Sequence, residues 1–286
     1  MTPIIEARGL AKRYRGGKQA VAGVDFKVGP GRIVGLIGRN GAGKTTVIKS
    51  LLGLTPHEGS LSVLGLNPDT QRGQLMRDVS FIADVAVLPK WLRVKNALEY
   101  VAGVHPAFNR ERAEKFLATT DVKPEHKVRE LSKGMVTQLH LALVLAIKAK
   151  LLVLDEPTLG LDLLVRRRFY DTLLNDYMDE ERTILVTTHQ VEEIEHLLTD
   201  VIFIEQGKII LDMPVEDIAS RYLQLVAKPE NAAAARGFRP FHERSLLGRT
   251  ALFFKDAPRE QLQALGEVGT PSVADLFVAM IEGGAA

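Results

Sequence analysis

Nine residues, "GRNGAGKTT" at 38–46, limit what this chain can become more than any other stretch. They follow an apolar run, "RIVGLIG", and lead into "TTVIKSLLG", so three glycines and a lysine occupy a turn from strand to helix. Gly38, Gly43, Lys44 and Thr45 satisfy the pattern G-x-x-x-x-G-K-[ST]. Backbone N–H groups wrap closely round a phosphate only where no Cβ intrudes, and a helix starting near Lys44 aims the positive end of its dipole at the same spot. The expectation is a phosphate cradle built from Gly38, Arg39, Asn40, Gly41, Ala42, Gly43, Lys44, Thr45 and Thr46. Lys44 would reach the β- and γ-phosphates and Thr45 would hold Mg²⁺.

A phosphate cradle does not name a reaction. In "LLVLDEP" four apolar residues carry Asp155 to the carboxyl end of a buried strand, where it can bind Mg²⁺ through water. Glu156 follows at once and is the candidate base for an attacking water. A carboxylate pair that merely caps the next helix is the plainer alternative, and the phosphate loop weighs against it. The strand "TILVTTH" ends in His189. A lone histidine there is often structural, but beside a nucleotide it becomes a γ-phosphate contact. No N-K-x-D guanine-reading motif occurs, which disfavours a GTPase.

Around these motifs continuous Val/Ile/Leu strands alternate with helices, the pattern of a mainly parallel sheet covered on both faces. The fold class is α/β. Strands are expected in "IIEARGLAKRY", "VAGVDFKV", "GSLSVLG" and "VSFIAD", the last ending near Asp84, and a hairpin in "VIFIEQGKII". Helical periodicity over about residues 91–150 marks an insertion. A long helix after "LGLD" carries Val165, Phe169, Leu173 and Tyr177 at every fourth position, and another helix is expected through "VEEIEHLL". Past residue 222 the pattern weakens. There "PENAAAARG" reads as a linker or surface loop, and "TALFFK" and "SVADLFVAMIEG" as a strand and a helix. The division is therefore residues 1–222 and a small accessory unit at 223–286, with no internal repeat.

Composition mainly excludes. With 37 basic and 35 acidic side chains the chain announces no polyanion, and no nucleic acid partner is expected. It has no cysteine, which rules out disulfides and thiolate metal sites and fits a reducing cytoplasm. The start lacks the pattern of a targeting segment, and the longest apolar run, "LALVLAI", is far below the roughly 18 residues of a membrane span. The chain is not expected to cross a bilayer by itself.

With these motifs in place, residues 1–223 resemble the ATP-binding subunits of ABC transporters. The resemblance implies a P-loop nucleotide-binding domain with a parallel sheet core, an antiparallel β subdomain and an inserted helical subdomain, binding ATP and Mg²⁺ and hydrolysing ATP. "LSKGMVTQ" looks like the family's LSGGQ signature, with Ser132 and Gly134 at its Ser and second-Gly positions. In the family that signature meets the ATP held by another subunit's loop, so a second copy or a related ATPase chain is implied. "LGLD" looks like the D-loop, with Asp162 at that interface. Tyr14 matches the aromatic that stacks on adenine, with Val21 beside it; a core aromatic on a short strand is the alternative. The signature departs from the family at Lys133 and Met135, and Asp84 falls where the family places a Mg²⁺-sensing Gln. The "SKGM" form resembles exporter ATPases whose transmembrane permease is a separate chain, which places this one at the cytoplasmic face of the membrane. The segment "VAVLPKWLRVKNAL" would line the docking groove for the permease, with Trp91 either touching the partner or buried in the helical insertion. Asp84 and Met135 keep a second reading open, a nucleotide-gated regulatory module with little turnover.

Overall fold

The computed structural model describes residues 2–83, 88–159, 161–174, 182–246 and 248–284. The chain opens with β1 (Ile5–Arg13) and β2 (Gln19–Val28), then β3 (Ile33–Ile37), the phosphate loop and α1 (Lys44–Leu51). Next come β4 (Glu58–Val63), α2 (Arg72–Leu75) and β5 (Val79–Ile82). Three helices follow, α3 (Val94–Val104), α4 (Arg110–Ala118) and α5 (Lys133–Leu145), before the chain returns through β6 (Leu151–Asp155), α6 (Leu163–Thr172) and β7 (Thr183–Thr188). The remainder is β8 (Asp200–Glu205), β9 (Lys208–Pro214), α7 (Ile218–Arg221), β10 (Tyr222–Ala227), α8 (Ala232–Arg236), β11 (His242–Leu246), β12 (Arg249–Lys255), α9 (Arg259–Gln263), β13 (Gly266–Gly269) and α10 (Val273–Glu282).

Six strands form the central sheet in the order β5-β6-β7-β3-β8-β9, parallel except for the antiparallel edge strand β9. β3, β6 and β7 are buried along their whole length, as strands covered on both faces must be. Alternate residues then serve two cores. Val34, Leu36, Val153 and Leu185 join α1 and the three-stranded antiparallel sheet β2-β1-β4. Ile37, Leu154, Val186 and Phe203 face α5, α6 and α10. Helices α3, α4 and α5 share a separate apolar cluster around Ala97, Ala113, Leu117 and Leu139. At the C-terminal side, β10–β13 form a four-stranded antiparallel sheet, ordered β11-β12-β10-β13, with its own cluster around Leu225, Leu252 and Phe254.

Two expectations change, and one open alternative is closed. The segment expected as a helix through "VEEIEHLL" is two 3₁₀ turns, Val191–Glu193 and Glu195–Leu197, broken at Ile194. Glu193 and Glu195 are drawn to partners elsewhere in the fold, and tertiary contacts override helix propensity. The stretch read as a linker contains α8: four consecutive alanines are the best helix formers available, and Ala232 and Ala235 are buried. Trp91 is not in the core of the insertion; it is 71% exposed, with Tyr100 and Val104 of α3 also exposed nearby in sequence. Phe169 and Leu173 of the α6 stripe are buried, and Tyr177 lies outside the described residues. No helix among the described residues is long and apolar enough to cross a membrane.

Candidate functional site

The loop between β3 and α1 is held from behind by the chain itself. A Cβ at Gly38 would collide with the carbonyl oxygen of Ile204 on β8, and one at Gly43, whose φ is +119°, would stand 2.5 Å from the carbonyl oxygen of Ala20. Gly41 has no protein atom near its missing Cβ. Gly38 and Gly43 are thus required by close packing, and Gly41, which faces open space, by its left-handed backbone, φ +84°. The tight turn of the β8–β9 hairpin, Gln206–Gly207, adds support: Gly207 N–H donates to the Ala42 carbonyl at 2.8 Å.

Lys44 begins α1 and is almost fully buried. Its Nζ donates to the Gly38 carbonyl at 2.5 Å and lies 3.7 Å from Glu156 Oε1. The strand β6 delivers Asp155, buried, to the sheet's carboxyl edge, where its Oδ1 accepts a 2.6 Å hydrogen bond from Thr187 Oγ1 of the adjacent β7. Glu156 adopts a left-handed backbone, φ +50°, which costs a side-chain-bearing residue about 1–3 kcal/mol. Its N–H bonds Thr187 oxygens, and the turn sets its carboxylate between two cationic or proton-bearing groups. One oxygen faces Lys44; the other lies 2.8 Å from His189 Nδ1 and accepts from the His189 backbone N–H at 3.3 Å.

Lys44, Asp155 and Glu156 open on a cavity of about 240 Å³, while His189 reaches it only through its contact with Glu156. Tyr14, Arg39, Asn40, Gly41, Gly43, Lys44, Thr45, Thr46, Asp155 and Glu156 line it. Tyr14 is partly exposed, its hydroxyl 3.4 Å from Thr46 Oγ1, so it is a wall residue and not a core aromatic. Gly38 and Ala42 lie beneath the loop. Val21 is completely buried and does not line the cavity. Its neighbour Ala20 does, because successive strand residues point to opposite faces. Lys18 is a further wall residue that the sequence reading missed. Thr45 and Asp155 are hard oxygen donors that both line the cavity, and no cluster of three or more His, Cys, Asp or Glu able to hold a metal occurs among the described residues. That donor set fits Mg²⁺, which is ordinarily held by one or two protein oxygens with water and phosphate completing the shell. Asp84 lies outside the described residues.

Three expected residues stand away from this cavity. Ser132 caps α5, its Oγ accepting from Met135 N–H at 3.2 Å. A Cβ at Gly134 would meet nothing closer than 4.0 Å, so the fold does not demand glycine there. Asp162 caps α6, accepting from Val165 N–H at 3.0 Å. Just beyond it, Arg166 ties three segments together. Its Nε donates to the Leu161 carbonyl at 2.8 Å, and its guanidinium also reaches Gln190 Oε1 at 2.7 Å and Glu193. Tyr170, one turn further on, meets Thr158 Oγ1 at 3.2 Å, and burial pushes its phenol up to about 12. Nothing in the spacing of the sequence pointed to Arg166, since its partners come from a different strand end.

Comparison with known proteins agrees with this geometry. Residues 21–159 match the family model described as ABC transporter. The Nod factor export ATP-binding protein I of Burkholderia thailandensis is 34% identical over 266 residues, covering 89% of this chain and 86% of that one. The bacitracin transport ATP-binding protein BcrA of Bacillus licheniformis is 30% identical over 239 residues, covering 82% and 78%. A solved ATP-binding subunit of an ABC transporter superposes with a TM-score of 0.69 at 25% identity, over 75% of this chain and 91% of that one. A phosphate loop facing a strand-end Asp–Glu pair, in a chain with relatives this similar over most of their length, places the protein in the ABC transporter family as an ATP-binding, ATP-hydrolysing subunit.

Proposed function

We propose that this subunit powers export through a separately encoded membrane permease, and that it works as half of a pair enclosing two ATP molecules. In this reading the ATP-binding domain is residues 1–222, the C-terminal unit is 223–286, and the subunit sits at the cytoplasmic face of the membrane. The partner ATPase is a second copy or a related chain. The names of the relatives, an export and a transport ATP-binding protein, favour export.

One observation carries the two-subunit reading. Lys44, Asp155, Glu156 and the loop share one cavity, while Ser132, Gly134 and Asp162 lie off it at the starts of α5 and α6. Gly134, unneeded by its own fold, suits close approach by a phosphate at a helix N-terminus. Each chain would then supply the loop for one ATP and the signature for the other.

Within one half-site, Tyr14 stacks on adenine and Lys44 exchanges its Gly38 and Glu156 contacts for phosphate oxygens. Thr45 and Asp155 would hold Mg²⁺, which when bound neutralises phosphate charge. Glu156 orients and accepts a proton from the attacking water. An ionised carboxylate only accepts, so the Glu156–His189 bond puts a proton on Nδ1. With that proton on Nδ1, Nε2 donates to a γ-phosphate only when the ring carries both protons.

The test is Glu156→Gln. Removing basicity and charge slows water attack but spares the loop, so ATP accumulates between subunits, and less like-charge repulsion beside the phosphates favours closure. Size-exclusion chromatography with light scattering should show the variant passing from monomer to dimer on adding Mg²⁺ and ATP. A variant that binds ATP and stays monomeric alone, with no closed form beside its permease, would defeat the paired-site reading.

A further inference from the structure

The last helix of the C-terminal unit is attached to the segment that carries His189. α10 is capped by Ser272, whose Oγ accepts from Asp275 N–H at 3.0 Å. The other two first-turn donors go to one atom: Val273 N–H and Ala274 N–H both donate to Glu195 Oε2, at 3.0 and 3.4 Å. A carboxylate at a helix N-terminus gains from charged hydrogen bonds and from the helix dipole together. Glu195 belongs to the pair of 3₁₀ turns that begins two residues after His189. Below it, Val191, Ile194 and Leu197 share a buried cluster with Val273, Leu276 and Met280 of α10. On another side Arg166 holds the same segment through Gln190 and Glu193 while bonding Leu161 next to Asp162.

A 3₁₀ segment has poorer internal hydrogen bonds than an α-helix, so its position depends on such outside anchors. We propose that Glu195 is a positioning residue for ATP hydrolysis: by pinning residues 190–197 to α10 it keeps His189 seated against Glu156. The C-terminal unit thereby becomes part of the machinery of turnover. The inference rests on the assignment of His189 to the γ-phosphate.

The test uses steady-state Mg²⁺-ATP turnover by the full-length chain, with His189→Ala as the reference. In Glu195→Ala kcat should fall about tenfold while KM for ATP stays within about twofold, because misplacement of a catalytic group is costly and the adenine and loop contacts are untouched. Glu195→Gln keeps an acceptor oxygen and should return kcat to within about twofold of wild type. Val273→Pro deletes the 3.0 Å donor from the other side of the contact. Proline is accommodated at the first helical position, and the Ser272 ψ of 160° suits a residue before proline. It should reproduce the loss, and combining it with Glu195→Ala should add nothing. Loss in the Ala and Pro variants, with rescue by Gln, is a pattern that general weakening of the fold does not produce. Should one variant fail to fold, the other carries the comparison. Wild-type kcat in both, with His189→Ala impaired, overturns the inference, and so does a Gln variant as slow as the Ala one. Undiminished turnover in His189→Ala would overturn the assignment of His189 instead.

Discussion

At Lys44 the ammonium group is enclosed by oxygens of its own chain: the Gly38 and Arg39 carbonyls and the Glu156 carboxylate. A buried cation so placed is the main positive charge available to a phosphate chain. Lys44→Ala should therefore weaken ATP binding about tenfold or more and cut turnover by about a hundredfold, the scale seen when one charge-stabilising group is removed. Equilibrium binding of a fluorescent ATP analogue and phosphate release would measure the two losses, and undiminished turnover would contradict the placement of the site. The placement of Lys44 at the cavity was legible in the sequence because the pattern that puts it there lies in neighbours a few positions away. Asp155 and Glu156 were legible for the same reason, as a strand ending in two carboxylates. Arg166 and Glu195 were not: their partners lie 24 and 78 residues distant, and only the fold brings them together. Val21 shows a subtler failure, since a shift of one residue along a strand exchanges a cavity wall for the core.

Among the elements, those with uninterrupted apolar runs were read correctly, and the segment after β7 and the alanine stretch of α8 were not. Burial leaves a periodic trace in sequence, whereas a helix broken by contacts to Arg166 and α10 leaves none. α5 holds a further consequence. His140 has a buried Nε2 without a hydrogen-bond partner, and burial pushes its imidazole down from 6.5 to about 4. Between those values the unfolded chain takes up a proton and the folded chain does not. Stability is therefore full above pH 6.5 and is lost as pH falls toward 4. His140→Leu should flatten that part of the profile by on the order of 1 kcal/mol, partial exposure reducing the effect. Thermal melts of both proteins at pH 7 and pH 4.5 would show it, and parallel profiles would place the proton elsewhere.

For the whole molecule the main surprise is that the C-terminal unit does not stand apart. Its sheet has its own core, but Val273, Leu276 and Met280 fill the same cluster as Phe203 and Phe169, and Phe277 meets Phe203 edge-on at 5.2 Å. A chain ended after residue 222 would uncover that face. Three buried apolar side chains at about 1.5–3 kcal/mol each amount to a large share of a domain's stability. The shortened protein should melt at least about 10 °C lower or be recovered insoluble, as differential scanning fluorimetry of the soluble fraction would show. An unchanged melting temperature would mean that α10 is dispensable packing. The strand order has a consequence for how the protein is made. β3, which holds the phosphate loop, takes its hydrogen-bonded neighbours from β7 and β8. Roughly 150 residues separate β3 from the first of them, and at about 5–20 residues per second a ribosome needs about 7–30 s to supply it. The motif that identifies the nucleotide site is thus synthesised well before the two strands that hold it in the sheet.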